Sequence, residues 1–452
     1  MKYNNIDAFE RLSVPKALSV FIFPAVISQL ATLILNLTDA FFVGQTGDTF
    51  QISAMTITLP LVMVMTVTAT IFGAGGNANM AAALGAKNPE RAKIFSVFVI
   101  YSAIIVIVVL SLFIFIFEKQ LLFILGADKN SYGFCRGYVL WVFHIACVPM
   151  VFSQVMAQLF TAEGETKLAS IGIAGAGLLN IILDPIFIFV FKQGIVGAGM
   201  ATCIANYCSM CFFLYQYFKR KKVTTISLDP RNYSMKKHIC KEVLSIGLPA
   251  GLSIFLMNCV DFLRNYLFGI YGAQADLAAW GVVQKLGNAF LQIAIGIEQG
   301  VRPLIAYNYN AALGKRTKSI INGSFIVMGI YTLTCFGMVM LFPQALVKLF
   351  LPIQDVMQLA AEFICIYIFC IFGIGYLELF NAIFQALGQW KTAIMGIIIG
   401  KIFLLIPALL ILVKICGVTG IVMAQPIAET ATVIILAIFY VDFIRKQRKK
   451  FN

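Results

Sequence analysis

An acidic residue lies inside an otherwise apolar segment of the chain, residues 178–187, whose sequence is LLNIILDPIF. In a membrane-spanning helix the carboxylate of Asp184 would cost roughly 2.5 to 3.5 kcal/mol on insertion scales, so an acid at such a position usually faces a polar cavity and has a function. Asn180 precedes it by four residues and shares its helix face. Pro185 has no N–H and leaves the carbonyl of Ile181 without its helical partner. These oxygens predict a pocket for a proton or a small cation; the alternative is a kinked helix whose Asp and Asn only hydrogen-bond a neighbouring helix.

A second acid, Asp39, occurs in the first apolar run. Asp39 lies about five residues and Asp184 about seven residues from the outer ends of their runs, so at about 1.5 Å per residue both are roughly 8 to 10 Å below the outer surface. We therefore expect the two carboxylates to share one cavity. Neutral polar side chains on the same and neighbouring predicted helices are candidate members of this cavity or of an adjoining substrate cavity: Asn36, Gln154, Gln158, Thr202 and Asn206.

Two coupling ions suit such a pocket. A proton would require one of the two aspartates to titrate near neutral pH, which desolvation and a second carboxylate promote. Sodium would use carboxylate, amide and freed carbonyl as hard oxygen ligands. The sequence leaves both ions open, and we expect no other cofactor or structural metal. Either ion moving inward gains about 2.3 kcal/mol per 100 mV of membrane potential, which can drive export of another solute.

The composition indicates which elements position these residues. With 60% hydrophobic and 12% charged residues and a mean hydropathy of +0.91, the chain is predicted to be a polytopic membrane protein. Its apolar runs have the length of membrane-spanning helices rather than of barrel strands. We predict an all-α fold with twelve spans, at about 17–44, 52–83, 94–117, 137–160, 168–191, 195–218, 244–272, 277–306, 320–343, 360–387, 393–415 and 418–442.

The net charge of +14 follows the same topology. With a cytoplasmic N-terminus, 24 of the 34 basic residues fall on the cytoplasmic side, six on the other side and four within spans. This is the positive-inside pattern, so we predict both termini in the cytoplasm of a cell membrane, with the lipid bilayer as a partner. Nucleic-acid binding is not needed to explain the charge. The opening is polar and no cleavable signal is expected before the first span.

The chain also contains an internal repeat. Residues 219–241 form one long charged loop, which predicts an N-terminal six-helix bundle (1–218), a cytoplasmic linker (219–241) and a C-terminal six-helix bundle (242–452). Pro24 matches Pro249 at an offset of 225, Lys167 matches Lys391 at 224, and similar matches continue at 223. Six spans per half make the repeats parallel, as in secondary transporters with two pseudo-symmetric bundles. An enzyme would be expected to show a reactive centre, so we expect a transporter.

The repeat does not extend to the acid site. Position 264, which aligns with Asp39, is Arg264, and Asp184 aligns with Pro407 or Ala408. In the C-terminal half, Asp261 with Arg264 and Glu298 with Arg302 have the spacing of intrahelical ion pairs. Several further polar residues are candidates for other roles. Glu298 and Glu378 are candidates for holding a cationic drug, Lys401 lies on the span after Glu378, His144 is expected to be a hydrogen-bonded bundle residue, and Cys208 and Cys211 are expected to be packing residues.

Several segments resemble the multidrug and toxic compound extrusion (MATE) family, and the resemblance covers essentially the whole chain in order. They are DAFFVGQ from Asp39, ALGAK from Ala83, NIILDP from Asn180, GIVGAG from Gly194, RPLIAYNYNA from Arg302 and FQALG from Phe384. The resemblance implies a twelve-helix antiporter that exports cationic or amphipathic drugs against an inward flow of H⁺ or Na⁺. It also implies an N-lobe cation site formed by Asp39, Asn180 and Asp184, with Thr202 as a further member. Glu298 and Arg302 depart from the Gly and Gln expected in their motif.

Two other functions remain open at this point. A flippase for a lipid-linked precursor, from the same broad superfamily, would need intramembrane cations facing a cleft, and the candidates are Arg264, Lys285, Arg302 and Lys401. A structural or signalling membrane protein would need neither the repeat nor the one-sided acid pair. We expect a monomer with small organic cations as its soluble partners.

Overall fold

The computed structural model describes residues 9–45, 48–233, 235–348 and 354–447, and within these ranges the chain is built from helices and loops without strands. The all-α prediction is confirmed. The α-helices, numbered in chain order, are α1 Val14–Gly44, α2 Thr49–Gly85, α3 Pro89–Ile116, α4 Glu118–Ile124, α5 Tyr132–Val139, α6 Cys147–Ala162, α7 Thr166–Pro185, α8 Gly194–Arg220, α9 Lys237–Tyr271, α10 Gln274–Asn310, α11 Gly314–Leu341, α12 Pro343–Lys348, α13 Gln354–Tyr367, α14 Cys370–Ala386, α15 Trp390–Ile398, α16 Ile406–Cys416 and α17 Val418–Lys446. Three π-helical segments extend α5, α7 and α15, namely Leu140–Ile145, Ile186–Val190 and Ile399–Leu405.

The described residues include nine helices that are long and apolar enough to span a membrane, or eleven if two bent pairs each count as one span. The pair Tyr132–Ile145 and Cys147–Ala162 bends by 46°, and the pair Met357–Tyr367 and Cys370–Ala386 bends by 47°. The remaining predicted span, 277–306, lies within the continuous helix α10, which is more polar than the others. The chain is therefore a multi-pass membrane protein with a helix at each of the twelve predicted positions.

Backbone conformation repeats between the two halves. The loops that follow corresponding helices contain residues in the left-handed region, where the chain turns sharply after a helix end. These residues form three pairs: Lys87 and Ala312 (φ 55° and 57°), Gly164 and Gly388 (86° and 72°), and Gly194 and Gly417 (54° and 60°). Their separations are the offsets of 225, 224 and 223 found in the sequence. The two halves therefore follow the same course through these loops.

The described chain divides into two compact units. Unit 1 contains Ile27–Gly251, and unit 2 contains Phe9–Val26 and the chain from Leu252 onward. The division falls inside α9 and not at the predicted linker, because the start of α9 packs against α2. The amide of Asn79 donates to the carbonyl of Glu242 over 3.2 Å, and a Cβ on Gly247 would lie 2.0 Å from the carbonyl oxygen of Ile71.

The charged linker is held against unit 1. Its residues 221–233, here called the strap, follow α8 directly and include a short 3₁₀ turn, Pro230–Asn232. The buried carboxylate of Glu163, at the end of α6, accepts hydrogen bonds from three strap residues, Thr224, Thr225 and Ile226. The hydroxyl of Tyr101 donates to the carbonyl of Leu228 over 2.9 Å. The strap is therefore an ordered part of unit 1.

Candidate functional site

The predicted cation site depends on how closely α7 and α8 approach each other. Gly172 of α7 lies against the ring of Phe213 of α8, so closely that a Cβ at this position would lie 2.3 Å from the ring carbon Cζ. The hydroxyl of Ser209 donates to the carbonyl of Gly172 over 3.0 Å. A glycine at this position lets two helix backbones come close, as in membrane helix pairs generally. The polar residues of the two helices can therefore meet two turns further along α7.

Asn180, Asp184 and Thr202 meet in unit 1. Asp184 is completely buried and Asn180 is 1% exposed. The amide nitrogen of Asn180 lies 3.4 Å from the Asp184 carboxylate oxygen Oδ1 and 3.1 Å from the hydroxyl oxygen of Thr202. The cluster brings together a carboxylate and a hydroxyl, joined by the Asn180 amide, and carboxylate and hydroxyl oxygens suit a hard cation or a proton.

The helix becomes irregular at Pro185, as the missing N–H of proline leads one to expect. Proline cannot donate to the carbonyl of Ile181. Immediately after it the chain continues as the π-helical segment Ile186–Val190, and the amide of Ile186 donates to the carbonyl of Leu183. Such π-helical turns occur frequently at functional sites in helices. Asp184 therefore lies directly before an irregular turn and not in the middle of a regular helix.

The other predicted members of the cavity are less closely placed. The side chains of Asp39 and Asn36 lie outside the described residues, although both positions belong to α1. Asn206 of α8 donates to the carbonyl of Thr202 over 2.9 Å and so adjoins the cluster. Gln158 is half-buried, and its backbone carbonyl accepts a hydrogen bond from the side-chain amide of Asn77 over 2.8 Å. Its side-chain oxygen Oε1 is buried and has no hydrogen bond with the described residues. Gln154 is half-buried on the same helix.

The charged residues of unit 2 form ion pairs. Arg264 pairs with Asp261 at 2.9 Å, and Arg302 pairs with Glu298. The prediction of two intrahelical pairs is therefore confirmed. Arg264, Arg302 and Glu298 are all at least 95% buried, so each cation is neutralised inside the protein.

Two residues of α17, Gln425 and Glu429, were not identified from the sequence as site residues. Arg264 donates to the side-chain oxygen of Gln425, whose amide nitrogen donates to Glu429 over 3.0 Å. Glu429 also pairs with the Lys401 ammonium at 3.1 Å. The guanidinium of Arg264 lies 4.9 Å from the ring centroid of Trp280, a cation–π distance. Glu429 is an acid within an apolar run, so the signal that identified Asp184 also applied to it.

Glu378 differs from three paired acids of unit 2, which are Asp261, Glu298 and Glu429. It lies near two acids, Glu298 and Glu429, and two basic residues, Lys401 and Arg302. Its carboxylate has no hydrogen bond or ion pair with any of the residues that the structure describes, and the side chain is half-buried. Of the two acids predicted to hold a cationic drug, Glu298 is committed to Arg302, whereas Glu378 is available.

His144 lies in the π-helical segment after α5, where its ring nitrogen Nδ1 is 2.9 Å from the hydroxyl of Ser111. The prediction of a hydrogen-bonded bundle residue is confirmed. Glu118, at the start of α4, lies 3.8 Å from the other ring nitrogen of His144 and 3.6 Å from Arg136. Cys208 and Cys211 are exposed free thiols.

A family model supports the repeat and the fold together. The MatE model matches this chain twice, at residues 24–186 and 249–411. The second match begins and ends 225 residues after the first, the offset that aligns Pro24 with Pro249. Each match covers most of one half of the chain.

Relatives and solved structures agree along the whole chain. It is 31% identical over 433 residues to "Multidrug export protein MepA" of Staphylococcus aureus (strain MSSA476), which covers 95% of this chain and 94% of the relative. Its fold is similar to the crystal structure of MATE in complex with MaD3S, with a TM-score of 0.93, 20% identity and coverage of 99% and 100%. It is also similar to an outward-facing multidrug resistance MATE family transporter of the MOP superfamily, with a TM-score of 0.91, 20% identity and coverage of 99% of each chain.

Proposed function

Because the chain belongs to the MatE family of membrane transporters, we propose that it exports cationic or amphipathic compounds in exchange for H⁺ or Na⁺. Export would follow alternating access, in which one site is exposed in turn to each side of the membrane. The protein acts as a transporter and carries out no covalent chemistry on its substrate.

The completely buried carboxylate of Asp184 is the observation that supports this proposal most directly. An acid that is retained in a membrane span at this cost is usually part of an ion or proton pathway. The amide nitrogen of Asn180 donates to the carboxylate and to the hydroxyl of Thr202, which brings the Thr202 oxygen near the carboxylate. Binding of one proton or one monovalent cation would neutralise Asp184.

The site occurs in one half of the repeat only. The positions that correspond to Asp184 in the second half are Pro407 and Ala408, which carry no donor groups in their side chains. In unit 2 the buried charges are instead engaged in a network with basic residues. We therefore assign ion coupling to unit 1.

The substrate class is proposed from two observations. The relative's name identifies that protein as a multidrug exporter, and the chain carries an acid, Glu378, that is not paired with a cation among the described residues. Forty Phe and seventeen Met provide adaptable apolar and aromatic surface, which binds organic cations well. Glu378 would supply the negative charge that such a cation requires.

The flippase hypothesis gains little from the structure. It needs free intramembrane cations to meet the phosphates of a lipid-linked precursor. Arg264, Arg302 and Lys401 are buried and each is paired with an acid of unit 2, and Lys285 alone is exposed.

An efflux assay tests the proposed function. We expect cells that lack their own drug pumps to export ethidium when they express this chain, and to lose that export with Asp184→Asn. Asp229→Asn is the matched control, because Asp229 is exposed in the strap and its side chain only caps a short turn, where asparagine can replace it. No export of ethidium or a fluoroquinolone by the wild-type protein would overturn the proposal.

Membrane vesicles with imposed gradients identify the coupling ion. Ethidium efflux that is driven by an inward-directed proton gradient in the absence of Na⁺ would identify H⁺ as the coupling ion. A flux that requires an inward Na⁺ gradient at equal pH would identify Na⁺. A flux that is insensitive to both gradients would contradict antiport.

A further inference from the structure

A surface cavity lies between two membrane helices of unit 2, outside every site described above. It has a volume of about 230 Å³ and is lined by residues of α11 and α17: Lys318, Asn322, Tyr440, Val441, Ile444 and Arg445. Lys318 belongs to the second turn of α11, and Arg445 belongs to the last turn of α17. The positive-inside pattern places this end of both helices at the cytoplasmic surface of the membrane.

The polar groups of this cavity are not used by the protein. Among the described residues, neither cation of the cavity forms an ion pair, and Asn322 and the hydroxyl of Tyr440 form no hydrogen bond. The nearest acid along α17, Asp442, is paired at 2.6 Å with Lys446, which does not line the cavity. Two positive charges and two neutral hydrogen-bonding groups therefore converge on one space without a counter-charge.

An apolar stripe continues from the cavity along each helix. On α11, Lys318 and Asn322 are followed at four-residue intervals by Ile326 and Ile330, which are 64% and 62% exposed. On α17, Arg445 is preceded on its helix face by three exposed aliphatic residues, Val441, Ile438 and Ile434. Residues three and four apart lie on one helix face. Both helices thus present a cationic end followed by an aliphatic stripe directed towards the membrane interior.

An aromatic cluster closes the inner side of the groove between these stripes. The ring of Phe325 on α11 lies 5.9 Å from that of Tyr440 on α17, and both contact Phe380 of α14, at 5.4 and 5.8 Å between ring centroids. The cluster lies at the level of the cavity, since Tyr440 belongs to both. These three rings therefore join α11, α14 and α17 at the floor of the groove.

We propose that this cavity binds the headgroup of an anionic phospholipid from the cytoplasmic leaflet. Lys318 and Arg445 pair with the phosphate, Asn322 and the Tyr440 hydroxyl hydrogen-bond its oxygens, and the acyl chains lie along the aliphatic stripes. Basic pockets between membrane helices on the cytoplasmic side are suited to anionic headgroups. The aliphatic stripes favour a lipid over a free phosphate, which would leave them without a partner.

Lipid retention on the purified full-length protein tests this proposal. The probe is phosphatidylglycerol, supplied in mixed micelles with phosphatidylcholine and detected by native mass spectrometry. We expect the wild-type protein to retain phosphatidylglycerol preferentially and the double variant Lys318→Ala, Arg445→Ala to retain one molecule fewer. The conservative double variant Lys318→Arg, Arg445→Lys should retain it as the wild type does.

A matched control separates the cavity from general surface charge. Lys315→Ala, Lys391→Ala removes the same charge from two exposed positions near helix starts without touching the cavity or the pair of Asp442 with Lys446, and its retention should equal that of the wild type. A thermal midpoint measured in detergent before lipid is added confirms that the variants fold, and the added lipid should raise that midpoint only where the cavity is intact. Equal retention by the cavity and control variants, equal retention of phosphatidylcholine, or displacement of the lipid by inorganic phosphate alone would overturn the proposal.

Discussion

In unit 1, the amide nitrogen of Asn180 lies between the carboxylate of Asp184 and the hydroxyl of Thr202, so it restricts the rotamers of both side chains. An ion that binds the carboxylate therefore meets neighbouring polar groups that are already in place. Preorganisation of this kind lowers the entropic cost of binding. The contribution of each neutral group should accordingly be measurable as a change in ion affinity.

At Thr202 we expect Thr202→Val to weaken binding of the coupling ion by about 1 kcal/mol, or about fivefold, because one neutral hydrogen bond is lost while the shape of the side chain is kept. Thr202→Ser should retain wild-type behaviour. The concentration of the coupling ion that gives half-maximal ethidium efflux from vesicles measures the change. An unchanged value in Thr202→Val would show that Thr202 does not take part in the ion site.

The pair of Lys401 and Glu429 in unit 2 is expected to be structural. Lys401→Met or Glu429→Gln alone should destabilise the protein by about 3 to 5 kcal/mol, because the remaining charge is left buried and unpaired. The double variant should recover much of that loss. Thermal midpoints in detergent for the two single variants and the double variant form the cycle. Additive losses would show that the two charges do not stabilise each other.

Residue spacing predicts contacts within a helix better than contacts between helices. Asp261 with Arg264 and Glu298 with Arg302 were predictable, since residues three or four apart meet on any helix. The contact of Lys401 with Glu429 joins two spans, and that of Arg264 with Gln425 joins residues 161 positions apart. Both depend on which helices pack together, which spacing along one helix cannot show.

Among the elements, the strap is attached to unit 1 through the buried side chain of Glu163. Two backbone amides, of Thr225 and Ile226, donate to the carboxylate of Glu163. A hydrogen bond to a charged group contributes about 1.5 to 3 kcal/mol, so Glu163→Ala should speed hydrogen exchange of these two amides by about tenfold or more. Glu90→Ala is the control, since Glu90 is exposed and pairs only with Lys93. Exchange that is equal in both variants would mean that Glu163 does not hold the strap.

The attachment should also depend on pH. Burial raises the pKa of Glu163 above its ordinary value of 4.5, and this effect outweighs its hydrogen bonds to the strap. When the strap is attached, Glu163 keeps its proton at pH values above 4.5, where it would lose the proton if the strap detached. The free energy of attachment therefore falls as pH rises from 4.5 and becomes constant above the raised pKa. Glu163→Gln should abolish this slope in the protection of Ile226. A slope that persists in Glu163→Gln would assign the pH dependence to another group.

The bends in two spans show the limit of prediction for elements. The sequence predicted 137–160 and 360–387 as single spans, and the structure bends both by nearly the same angle. In the first, Pro149 cannot donate to the carbonyl of Ile145, which instead accepts from the hydroxyl of Tyr207 over 3.4 Å. The second has no proline after its break at Phe369, so its bend could be expected only from the repeat.

For the whole molecule, the repeat was the most informative property of the sequence. It predicted corresponding loops, and the left-handed residues Lys87 and Ala312 occupy equivalent places. It also showed where the halves differ, since an acid in the first half aligns in sequence with a residue of another type in the second half. The division of the chain inside α9 was not predictable from charge, because it depends on how Gly247 packs against α2.

The predicted orientation can be tested on the whole protein. A fluorescent protein fused after the last residue should fold and fluoresce in the cytoplasm, whereas alkaline phosphatase at the same place should be inactive, because 24 basic residues favour the cytoplasmic side. A fusion in the loop between α4 and α5 should behave in the opposite way and serves as the control. Active phosphatase at the C-terminus would contradict the orientation.

Drug-driven ion movement tests the central claim most directly, because it measures both fluxes in one sample. Proteoliposomes that contain the purified protein are loaded with ethidium or left empty, and internal pH and Na⁺ are followed after an outward ethidium gradient is imposed. We predict that ions enter only when ethidium leaves, that Asp229→Asn behaves like the wild type, and that Asp184→Asn abolishes the ion movement. Ion movement that continues in Asp184→Asn at the wild-type rate would contradict the assignment of coupling to unit 1.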